Sequence, residues 1–548
     1  MSVTVIQYVL SRLRDIGVTD VFGVPGDYAF PVNDAICEFP GMRWIGCCNE
    51  LNAAYAADGY ARVKGMGALN TTYGVGELSA LAGMAGAYAE HVPLFHLVGA
   101  PPIPLQSGHA IAHHTLGNGE YSLFQKMSEP VSCAMAVMTP QNVVPETERL
   151  IAAALYHRRP VYMTFPKDYV NQKALGSSAP SPAPQSDPES LITATDAILA
   201  ALAKATTAGV LPGILIVRAG LQSAMQEVID ASGLPFATMF MDKSVLEEQQ
   251  RNYIGMYDGR LMNEDVRAFV EGCDCILEVG TLLTDLNTGA FTSTLDPAKT
   301  ISISHHRTQV GGKTYSSVEM GDVLKALAKR LPKRASGTWP QVSSLGAVVG
   351  EGADSITAAA LYPRWANFLR PGDILVAETG TASMGLAFAE MPKGASFHNQ
   401  TLWCSIGWGT PAALGAAVAA PDRRVVLVTG EGSHQMTAQE VSQFGRYRLK
   451  PVIFVLNNSG YLIERLLCKN PAIEYNDLAP WRYSELPKAL GCEGWFTAKV
   501  TTCGQFDQAL EAAARATSGV YIEIATGMYE SSPMAAKLGE GLKALHNR

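Results

Sequence analysis

The sequence has few charged and few aromatic residues, and it lacks any long basic or long apolar run. Charged side chains make up 17% of its 548 residues, aromatic side chains make up 8%, and the formal net charge is −8. An acidic balance without a basic cluster argues against a nucleic-acid partner. Because no apolar stretch is long enough to span a bilayer, the sequence predicts no membrane partner either. The first residues lack the features of a secretory signal, so we expect none.

The ten cysteines are scattered along the chain and do not form a disulfide framework. The pairs Cys47-Cys48 and Cys273/Cys275 are candidates for metal or redox chemistry. Each pair lies in an apolar, strand-like stretch, however, which favours buried and reduced thiols. The cysteine pattern therefore predicts a reducing, cytoplasmic location.

The chain is long enough for about three to four domains, and 47% of its residues are hydrophobic, so several buried cores are expected. Residues 177–188 are rich in proline and serine and are typical of an extended linker. Residues 333–355 are polar, contain glycine and serine, and indicate a second boundary. These boundaries predict three domains, at residues 1–176, 189–332 and 356–548.

Short apolar runs alternate with alanine-rich helical stretches within each predicted domain. Examples of the apolar runs are residues 93–98, 214–217, 275–279 and 425–428. Alternation of strands with helices is typical of doubly wound parallel sheets. The sequence therefore predicts an α/β fold with three such sheets.

Two of the predicted strands in the third domain run directly into turns that carry side-chain oxygens. Residues 424–429 lead into Gly430-Glu431-Gly432-Ser433, and residues 452–456 lead into Asn457-Asn458. The carboxyl ends of parallel strands share one edge of a sheet, which is where ligands of such sheets bind. Carboxylate and amide oxygens suit Mg²⁺, and the glycines let backbone N–H groups approach phosphates. Taken alone, the motif is equally compatible with a turn that binds nothing.

The first domain contains acids and histidines in positions that favour proton transfer. Asp27 follows a strand and a Gly-Val-Pro-Gly turn, and Glu50 precedes an alanine-rich helix. Either acid can instead serve only its helix N-terminus, as a cap or a charge. The adjacent His113 and His114 follow a proline-rich loop, and imidazoles are suited to proton transfer near neutral pH. A second histidine pair, His305-His306, is not accompanied by an acid or a glycine motif, so we interpret it as structural.

These motifs together resemble the thiamine-diphosphate-dependent 2-oxo acid decarboxylases of the pyruvate and indolepyruvate decarboxylase group, over essentially the whole chain. The matching segments lie at residues 26–28, 48–53, 71–79, 113–114, 377–381, 405–408 and 457–464. The histidine pair and the Glu464 motif are specific to the decarboxylases. The acid of the Gly-acid-Gly triplet and the Asn 27 positions later resemble the family's metal motif. That family usually has Asp where this chain has Glu431.

The resemblance implies a fold of three domains, which are a pyrimidine-binding, a middle and a diphosphate-binding domain. It also implies Mg²⁺ and thiamine diphosphate as cofactors, with Mg²⁺ held by Glu431, Asn458 and the carbonyl of Gly460. The implied catalytic residues are Asp27, Glu50, His113, His114 and Glu464. Glu50 would also hold the cofactor ring nitrogen N1′, and Ile406 would hold the two cofactor rings apart. The other implied cofactor contacts are Thr72, Thr379, Gly380, Thr381, Cys404, Ser405, Gly432, Ser433, Asn458, Gly460, Tyr461, Leu462 and Ile463.

The implied reaction is the non-oxidative decarboxylation of a 2-oxo acid to an aldehyde and CO₂, through a C2 carbanion and an enamine of the cofactor. The implied substrate pocket is formed by Asp285, Thr379, Ser383, Ile463 and Leu467. Ser383 stands where pyruvate-specific relatives have a bulky aromatic residue, which predicts a larger pocket. Thr379 is instead typical of pyruvate decarboxylases. We expect broad-range, aromatic or branched-chain substrates such as indolepyruvate and phenylpyruvate, with pyruvate as the alternative.

Three other classes remain open from the sequence. A carboligase of the acetohydroxyacid synthase type would share Glu50 and the metal turns, but it would not require the histidine pair. A nicotinamide-dependent oxidoreductase is disfavoured because residues 217–220 lack the G-x-G-x-x-G pattern. A non-catalytic regulatory protein would not need every proton-transfer position. The resemblance further implies a homodimer or homotetramer, in which the Glu50 domain of one subunit meets the metal-binding domain of another.

Overall fold

The computed structural model of the protein describes residues 3–177, 179–334, 337–340, 342 and 345–546. Within these residues the strands form three sheets, and helices flank each sheet. This arrangement confirms the predicted α/β class with three mostly parallel sheets. In the described part of the chain, no helix combines the length and the apolar character needed to cross a membrane.

The first sheet contains six parallel strands in the order β2-β1-β3-β4-β6-β5. Its strands are β1 (Asp20–Gly23), β2 (Arg43–Gly46), β3 (Gly67–Thr72), β4 (Leu94–Ala100), β5 (Ala134–Val137) and β6 (Val161–Pro166). The helices of this unit are α1 (Val5–Asp15), α2 (Phe30–Glu38), α3 (Glu50–Lys64), α4 (Val75–Ala89), α5 (Ile103–Ser107), α6 (Leu123–Ser128) and α7 (Val143–His157), with a 3₁₀ turn at Glu129–Val131. Asp27 and Glu50 therefore follow two neighbouring strands.

The second sheet contains seven strands in the order β13-β12-β11-β10-β7-β8-β9. Its strands are β7 (Ala208–Pro212), β8 (Phe236–Thr238), β9 (Tyr253–Met256), β10 (Cys275–Val279), β11 (Thr300–Ser304), β12 (Arg307–Val310) and β13 (Lys313–Ser316). The helices are α8 (Pro188–Lys204), α9 (Ile214–Ala219), α10 (Gln222–Ser232), α11 (Glu264–Gly272) and α12 (Met320–Arg330). The last two strands pair antiparallel, so this sheet is mixed and not fully parallel.

Two details of the second unit differ from or extend the expectations. The apolar run 214–217 was predicted as a strand and is the start of helix α9, directly after β7. A short apolar run does not distinguish a buried strand from a buried helix, and Ile214, Leu215 and Ile216 are buried here. The pair His305-His306 forms the tight turn between β11 and β12. His306 binds Glu319 at 2.8 Å and stacks on Tyr156, so it joins the first and second units.

The third sheet contains six parallel strands in the order β15-β14-β16-β17-β19-β18. Its strands are β14 (Ile374–Ala377), β15 (Ser396–His398), β16 (Val425–Gly430), β17 (Val452–Asn457), β18 (Phe496–Val500) and β19 (Val520–Ala525). The helices are α13 (Ala358–Phe368), α14 (Thr381–Leu386), α15 (Gly409–Ala419), α16 (Glu431–Thr437), α17 (Val441–Arg446), α18 (Leu462–Leu467), α19 (Leu486–Ala489), α20 (Cys503–Arg515) and α21 (Pro533–His546), with 3₁₀ turns at Ala438–Glu440, Glu474–Asn476 and Tyr483–Glu485. The predicted turn at Glu431 is in fact the start of a helix.

The first and third units share one apolar core, in which helix α3 packs against helix α15. A Cβ atom added at Gly59 would lie 2.1 Å from the Ala412 carbonyl oxygen, and one added at Gly415 would lie 1.8 Å from that of Ala56. Only glycine permits this approach, because any side chain would force the two helices apart. The close packing fixes the start of α3, which carries Glu50, relative to the third unit.

Candidate active site

Glu431 and Asn458 lie together because each directly follows one of two paired strands, β16 and β17. Glu431 Oε1 accepts hydrogen bonds from the backbone N–H groups of Asn458 at 3.0 Å and Gly460 at 2.8 Å. The Asn458 side-chain amide faces the same Oε1 atom at 3.2 Å and the Gly460 carbonyl oxygen at 2.8 Å. The amide can take two orientations. If its nitrogen faces these two oxygens, it donates a hydrogen bond to both of them. If its oxygen faces them, the side-chain oxygens of Asn458 and Glu431 and the Gly460 carbonyl oxygen form a ligand set for a small hard cation.

The Glu431 carboxyl is only 2% exposed, and this burial raises its pKa to about 7. Backbone N–H groups, that of Gly460 foremost, oppose the rise by stabilising the charged form. Within the described residues, no arginine, lysine or histidine forms an ion pair with this carboxylate. A buried carboxylate without a basic partner is costly, and a bound cation would remove that cost.

The loop that carries the Gly460 carbonyl is held in place by Arg465, whose role the sequence did not reveal. Arg465 is 1% exposed and donates to the carbonyls of Ser459 at 2.9 Å and Asn476 at 3.2 Å. It also pairs with Asp477 at 2.9 Å. Gly460 has a φ of +156°, and a Cβ there would lie 2.1 Å from Arg465 Nη2, so the position requires glycine. A lone arginine within the apolar helix α18 was the signal available in the sequence.

A cavity of about 70 Å³ opens beside these oxygens, between the starts of α14, α16 and α18. A Cβ atom at Gly432 would lie 2.5 Å from the Tyr461 ring, so glycine lets that ring cover the start of α16. The cavity is lined by Thr379, Gly380, Thr381, Ala382, Ile406, Gly430, Glu431, Gly432, Ser433, Leu456, Asn458, Gly460, Tyr461, Leu462, Ile463 and Glu464. Most of the cofactor contacts implied by the resemblance are therefore brought together, and all belong to the third unit.

The two implied contacts next to this cavity, Cys404 and Ser405, are held by the segment before helix α15. Cys404 has a φ of +53°, and its thiol donates to the Thr401 carbonyl at 2.9 Å. Burial raises the pKa of the Cys404 thiol to about 12, so it stays protonated. The Ser405 hydroxyl bonds the Tyr55 hydroxyl of helix α3 at 2.6 Å. The segment is thus fixed to the first unit.

Asp27, His113 and His114 form one cluster on the first unit. His113 Nε2 lies 2.9 Å from Asp27 Oδ2, and the ligand atoms of all three residues lie within 4.8 Å of one another. The Tyr28 ring stacks on His113 with 4.7 Å between ring centroids. The His113 side chain is 59% exposed and the Asp27 side chain is 38% exposed. His114 Nδ1 is buried and has no hydrogen-bond partner among the described residues. The cluster therefore presents exchangeable protons to solvent or to a ligand.

Glu50 begins helix α3, whose N-cap Asn49 accepts a hydrogen bond from the Asn52 N–H at 2.8 Å. Glu50 Oε1 lies 3.4 Å from where a Cβ at Gly76 would stand, and Thr72 Cγ2 lies 3.2 Å from that same point. The Thr72 hydroxyl is buried and has no hydrogen-bond partner in the part of the chain that the structure describes. Glu50, Thr72 and Gly76 therefore lie close together.

The loop that carries Glu50 is fixed by Glu440, a second residue that sequence reasoning missed. Glu440 is buried, and its Oε2 accepts from the Asn52 side chain at 2.7 Å and from the Cys48 N–H at 3.1 Å. Glu440 belongs to the third unit, so these bonds join the two units beside Glu50. Among the described residues, no hydrogen bond or ion pair links Glu50, His113 or His114 to the cavity of the third unit. One chain therefore holds two separate halves of the predicted site.

Of the five implied substrate residues, Thr379 and Ile463 line the third-unit cavity, and Asp285, Ser383 and Leu467 are not part of its lining. Ser383 is buried in α14, and its hydroxyl donates to the Gly380 carbonyl at 3.1 Å. The Thr379 hydroxyl donates to the Gln400 carbonyl at 3.0 Å. Asp285 is exposed and close enough to Cys404 to contribute to the raised pKa of that thiol. Ile463 packs against an apolar cluster that includes Met534 and Leu538 of helix α21. Leu467 is the last residue of α18.

Three family models match the chain, one for each sheet. The model described as "Thiamine pyrophosphate enzyme, N-terminal TPP binding domain" matches residues 3–120. The central domain of the same enzymes matches residues 195–331, and their C-terminal TPP binding domain matches residues 378–524. The fold, the oxygen cluster and these matches define the class of the chain as that of the thiamine pyrophosphate enzymes.

Similar proteins narrow that class. The alpha-keto-acid decarboxylase of Mycobacterium leprae (strain TN) is 38% identical over 527 residues, which are 95% of this chain and 92% of that protein. The alpha-keto-acid decarboxylase of Mycobacterium ulcerans (strain Agy99) is 39% identical over 516 residues, which are 93% of this chain and 91% of that protein. A solved structure from Mycobacterium smegmatis, proposed to be a thiamin diphosphate-dependent enzyme, has a TM-score of 0.77 at 22% identity and covers 96% of this chain and 99% of that one. The chain belongs to the thiamine-diphosphate-dependent 2-oxo acid decarboxylases, so the resemblance stated from the sequence is confirmed.

Proposed function

We propose that the protein converts 2-oxo acids to aldehydes and CO₂ without oxidation, using thiamine diphosphate and Mg²⁺. The observation that carries this proposal is the contact of Asp27 with His113, at 2.9 Å, with His114 beside them. A carboligase would need the cofactor site but not this cluster of proton donors. A decarboxylation, in contrast, ends with a proton delivered to carbon and another removed from oxygen, for which such a cluster is suited.

The oxygens of Glu431, Asn458 and the Gly460 carbonyl would hold Mg²⁺, and Gly432 and Ser433 would face the diphosphate. The separations of 2.8 and 3.2 Å around the Asn458 amide fit neighbouring ligands of an octahedral ion, which lie roughly 3 Å apart when each is about 2.1 Å from the metal. When bound, thiamine diphosphate supplies an electron sink for the pair released as CO₂ leaves.

The side chains of this chain would orient the reacting groups and move protons. Glu50 would hold a proton at the ring nitrogen N1′, and Ile406, which lines the cavity, would keep the two cofactor rings apart. Asp27 and His113 can exchange a proton across their 2.9 Å contact. Glu464 lines the cavity from helix α18 and would act from the opposite side of the substrate.

The complete active site would form between two subunits of a homodimer or homotetramer. The cavity that would take the diphosphate is lined only by the third unit, and Glu50 lies on the first. Apolar side chains near both halves are exposed: Val75 at 55% beside Gly76, Ile111 at 76% near the histidine pair, and Met436 at 53% in α16. Exposed apolar groups around a functional site are typical of surfaces that a partner covers. We further propose that the assembly is cytoplasmic.

Substrate preference tests the proposed function directly. We expect CO₂ release from branched-chain 2-oxo acids, phenylpyruvate and indolepyruvate at rates at least equal to that from pyruvate, because Ser383 replaces a bulky aromatic. The measurement is CO₂ release with added thiamine diphosphate and Mg²⁺. We expect Ser383→Phe to lower kcat/KM for phenylpyruvate about tenfold or more relative to pyruvate.

Two controls make the substrate experiment decisive. Ser383→Ala removes only the hydroxyl that binds the Gly380 carbonyl, so it should leave the substrate range unchanged. Because Ser383 is buried, thermal unfolding of the Phe variant must show that its fold survives the added volume. No CO₂ from any acid would contradict the decarboxylase proposal. A clear preference of the unmodified protein for pyruvate would contradict the larger pocket alone.

A further inference from the structure

A second cavity, of about 150 Å³, lies where the three units meet. It opens at the carboxyl ends of β7 and β8, the edge at which α/β sheets bind ligands. The ionisable side chains that line it are Arg62 and Glu90 of the first unit, Arg218 and Lys243 of the second, and His398 and Arg423 of the third. Five of these six side chains are basic types and one is acidic.

Arg218 is the residue that points to a ligand. It is 6% exposed, and Nε donates to the Glu90 carbonyl at 3.1 Å. In the described structure its Nη1 and Nη2 atoms have no hydrogen-bond partner and no carboxylate within ion-pair distance. Burial, followed by the nearby Arg62, lowers the pKa of Arg218 to about 9, although the carboxylates of Glu90, Asp58 and Asp242 act in the opposite direction from a distance. A buried guanidinium without an anionic partner is costly, and a bound anion would offset that cost.

The charges around the cavity sum to an excess of positive charge. Arg62 pairs with Asp58 at 2.5 Å and Glu90 at 3.4 Å, and Lys243 pairs with Glu248 at 2.5 Å. Lys243 and Glu248 balance each other, whereas Arg62 faces two carboxylates, so these five groups carry one negative charge in excess. Only the two further arginines of the cavity, Arg218 and Arg423, make the sum positive.

Arg423, in contrast, donates to the carbonyls of Gly372, Asp373 and Gly394 and to the Ser396 hydroxyl, all of which are uncharged. Burial and the three arginines lower the pKa of His398 to about 3, so His398 stays neutral. The positive charges of Arg218 and Arg423 are therefore not balanced by a carboxylate hydrogen bond in the described structure.

We propose that this cavity binds a small oxyanion of the phosphate type. The forked donors of arginine match phosphate oxygens, and buried arginines are suited to such recognition. A volume of about 150 Å³ is smaller than the roughly 300–1,000 Å³ of pockets for drug-sized ligands, so a nucleoside would not fit inside. The occupant is inorganic phosphate, or the terminal phosphate of a nucleotide whose remainder stays outside. Because each unit contributes a basic residue, the bound anion would fasten the three units to one another.

The test is a calorimetric titration of the protein with sodium phosphate in the presence of saturating thiamine diphosphate and Mg²⁺, which keep phosphate from the Glu431 cavity. We expect saturable binding of one phosphate per chain. Arg218→Gln should weaken it roughly tenfold to a hundredfold while leaving cofactor affinity unchanged. A parallel titration with ADP distinguishes the source, because tighter binding of ADP would identify a nucleotide phosphate as the occupant.

Two further variants guard against a folding defect in Arg218→Gln. Gln222 lines the cavity from an exposed position at the start of α10, so Gln222→Glu adds a repelling charge with little effect on folding. It should weaken phosphate binding several-fold. Arg330→Gln removes an exposed arginine elsewhere and should change nothing. No saturable binding of either probe, or unchanged phosphate affinity in both Arg218→Gln and Gln222→Glu, would overturn the proposal. Phosphate binding should persist in Glu50→Gln, which is expected to bind the cofactor but not to turn over, so the binding is independent of the proposed reaction.

Discussion

Replacement of Glu50 by glutamine is expected to lower kcat for CO₂ release by about 10²–10⁴-fold, the range typical of a lost proton-transfer group. Glutamine has the same shape as glutamate, but it neither shares nor releases a proton at the cofactor ring nitrogen. The Asn49 cap of α3 does not involve the Glu50 side chain, so helix α3 should keep its start. Thermal unfolding and cofactor titration of the variant should therefore be close to those of the unmodified protein.

The alternative role of Glu50, an acid that only stabilises the start of its helix, predicts a different outcome. In that case the change would cost stability, roughly 0.3–1 kcal/mol, and would spare turnover. Glu38→Gln is a matched control, because Glu38 ends α2 in an exposed position outside both halves of the site. Near-normal kcat in Glu50→Gln would remove the proposed role of this carboxylate.

Local patterns in the sequence were sufficient for those parts of the site that lie at strand ends. Glu431 and Asn458 are 27 positions apart, yet they are in contact because β16 and β17 are paired and parallel. The Asp27–His113 contact joins residues 86 positions apart, and the sequence indicated both by their residue types and loops. Where a strand stops and a polar residue follows, the sheet determines where that residue lies.

The residues that support the site were not predictable in this way. Arg465 and Glu440 act through contacts with backbone groups of other segments, and no local motif specifies such contacts. The run 214–217 was assigned to the wrong element because its composition suits a buried strand and a buried helix equally. Arg218 appears in the sequence as an ordinary basic residue, and only the packing of three units reveals that it is buried.

Replacement of Glu431 by glutamine is expected to weaken Mg²⁺ binding by at least about a hundredfold. Even the loss of a residue that only supports a metal ligand typically lowers metal affinity by about 10–100-fold, and Glu431 would bind the ion directly. The amide oxygen can still accept from the N–H groups of Asn458 and Gly460, so the loop should keep its form. Glu431→Asp is the matched control. It keeps the charge, so metal-dependent turnover should persist, with weaker affinity because the shorter side chain retreats from that loop. Unchanged Mg²⁺ dependence in Glu431→Gln would contradict the metal site.

The pH dependence of Mg²⁺ affinity follows from the same carboxyl. Burial raises the pKa of Glu431 to about 7 from an ordinary 4.5, so a proton competes with the metal below pH 7. We expect the affinity to fall by up to about tenfold per pH unit below 7 and to level off above it. In the metal-free protein the stability of the fold has the opposite pH dependence. It falls as the pH rises from 4.5 to 7, because the carboxyl becomes charged while it is buried, and the loss of stability is complete above pH 7. Calorimetry at pH 6, 7 and 8 tests this, and a constant affinity would contradict it.

The two inactive variants together reveal whether one active site uses two subunits. If Glu50 of one subunit completes the Glu431 cavity of another, a mixed dimer of Glu50→Gln and Glu431→Gln chains has one intact site and one doubly defective site. Random exchange of equal amounts should then restore about a quarter of the unmodified activity, since half of the dimers are mixed and each has one working site of two. If both residues act within one chain, every site in the mixture is defective and no activity returns. Because Glu50 does not line the third-unit cavity of its own chain, we expect the mixture to regain activity.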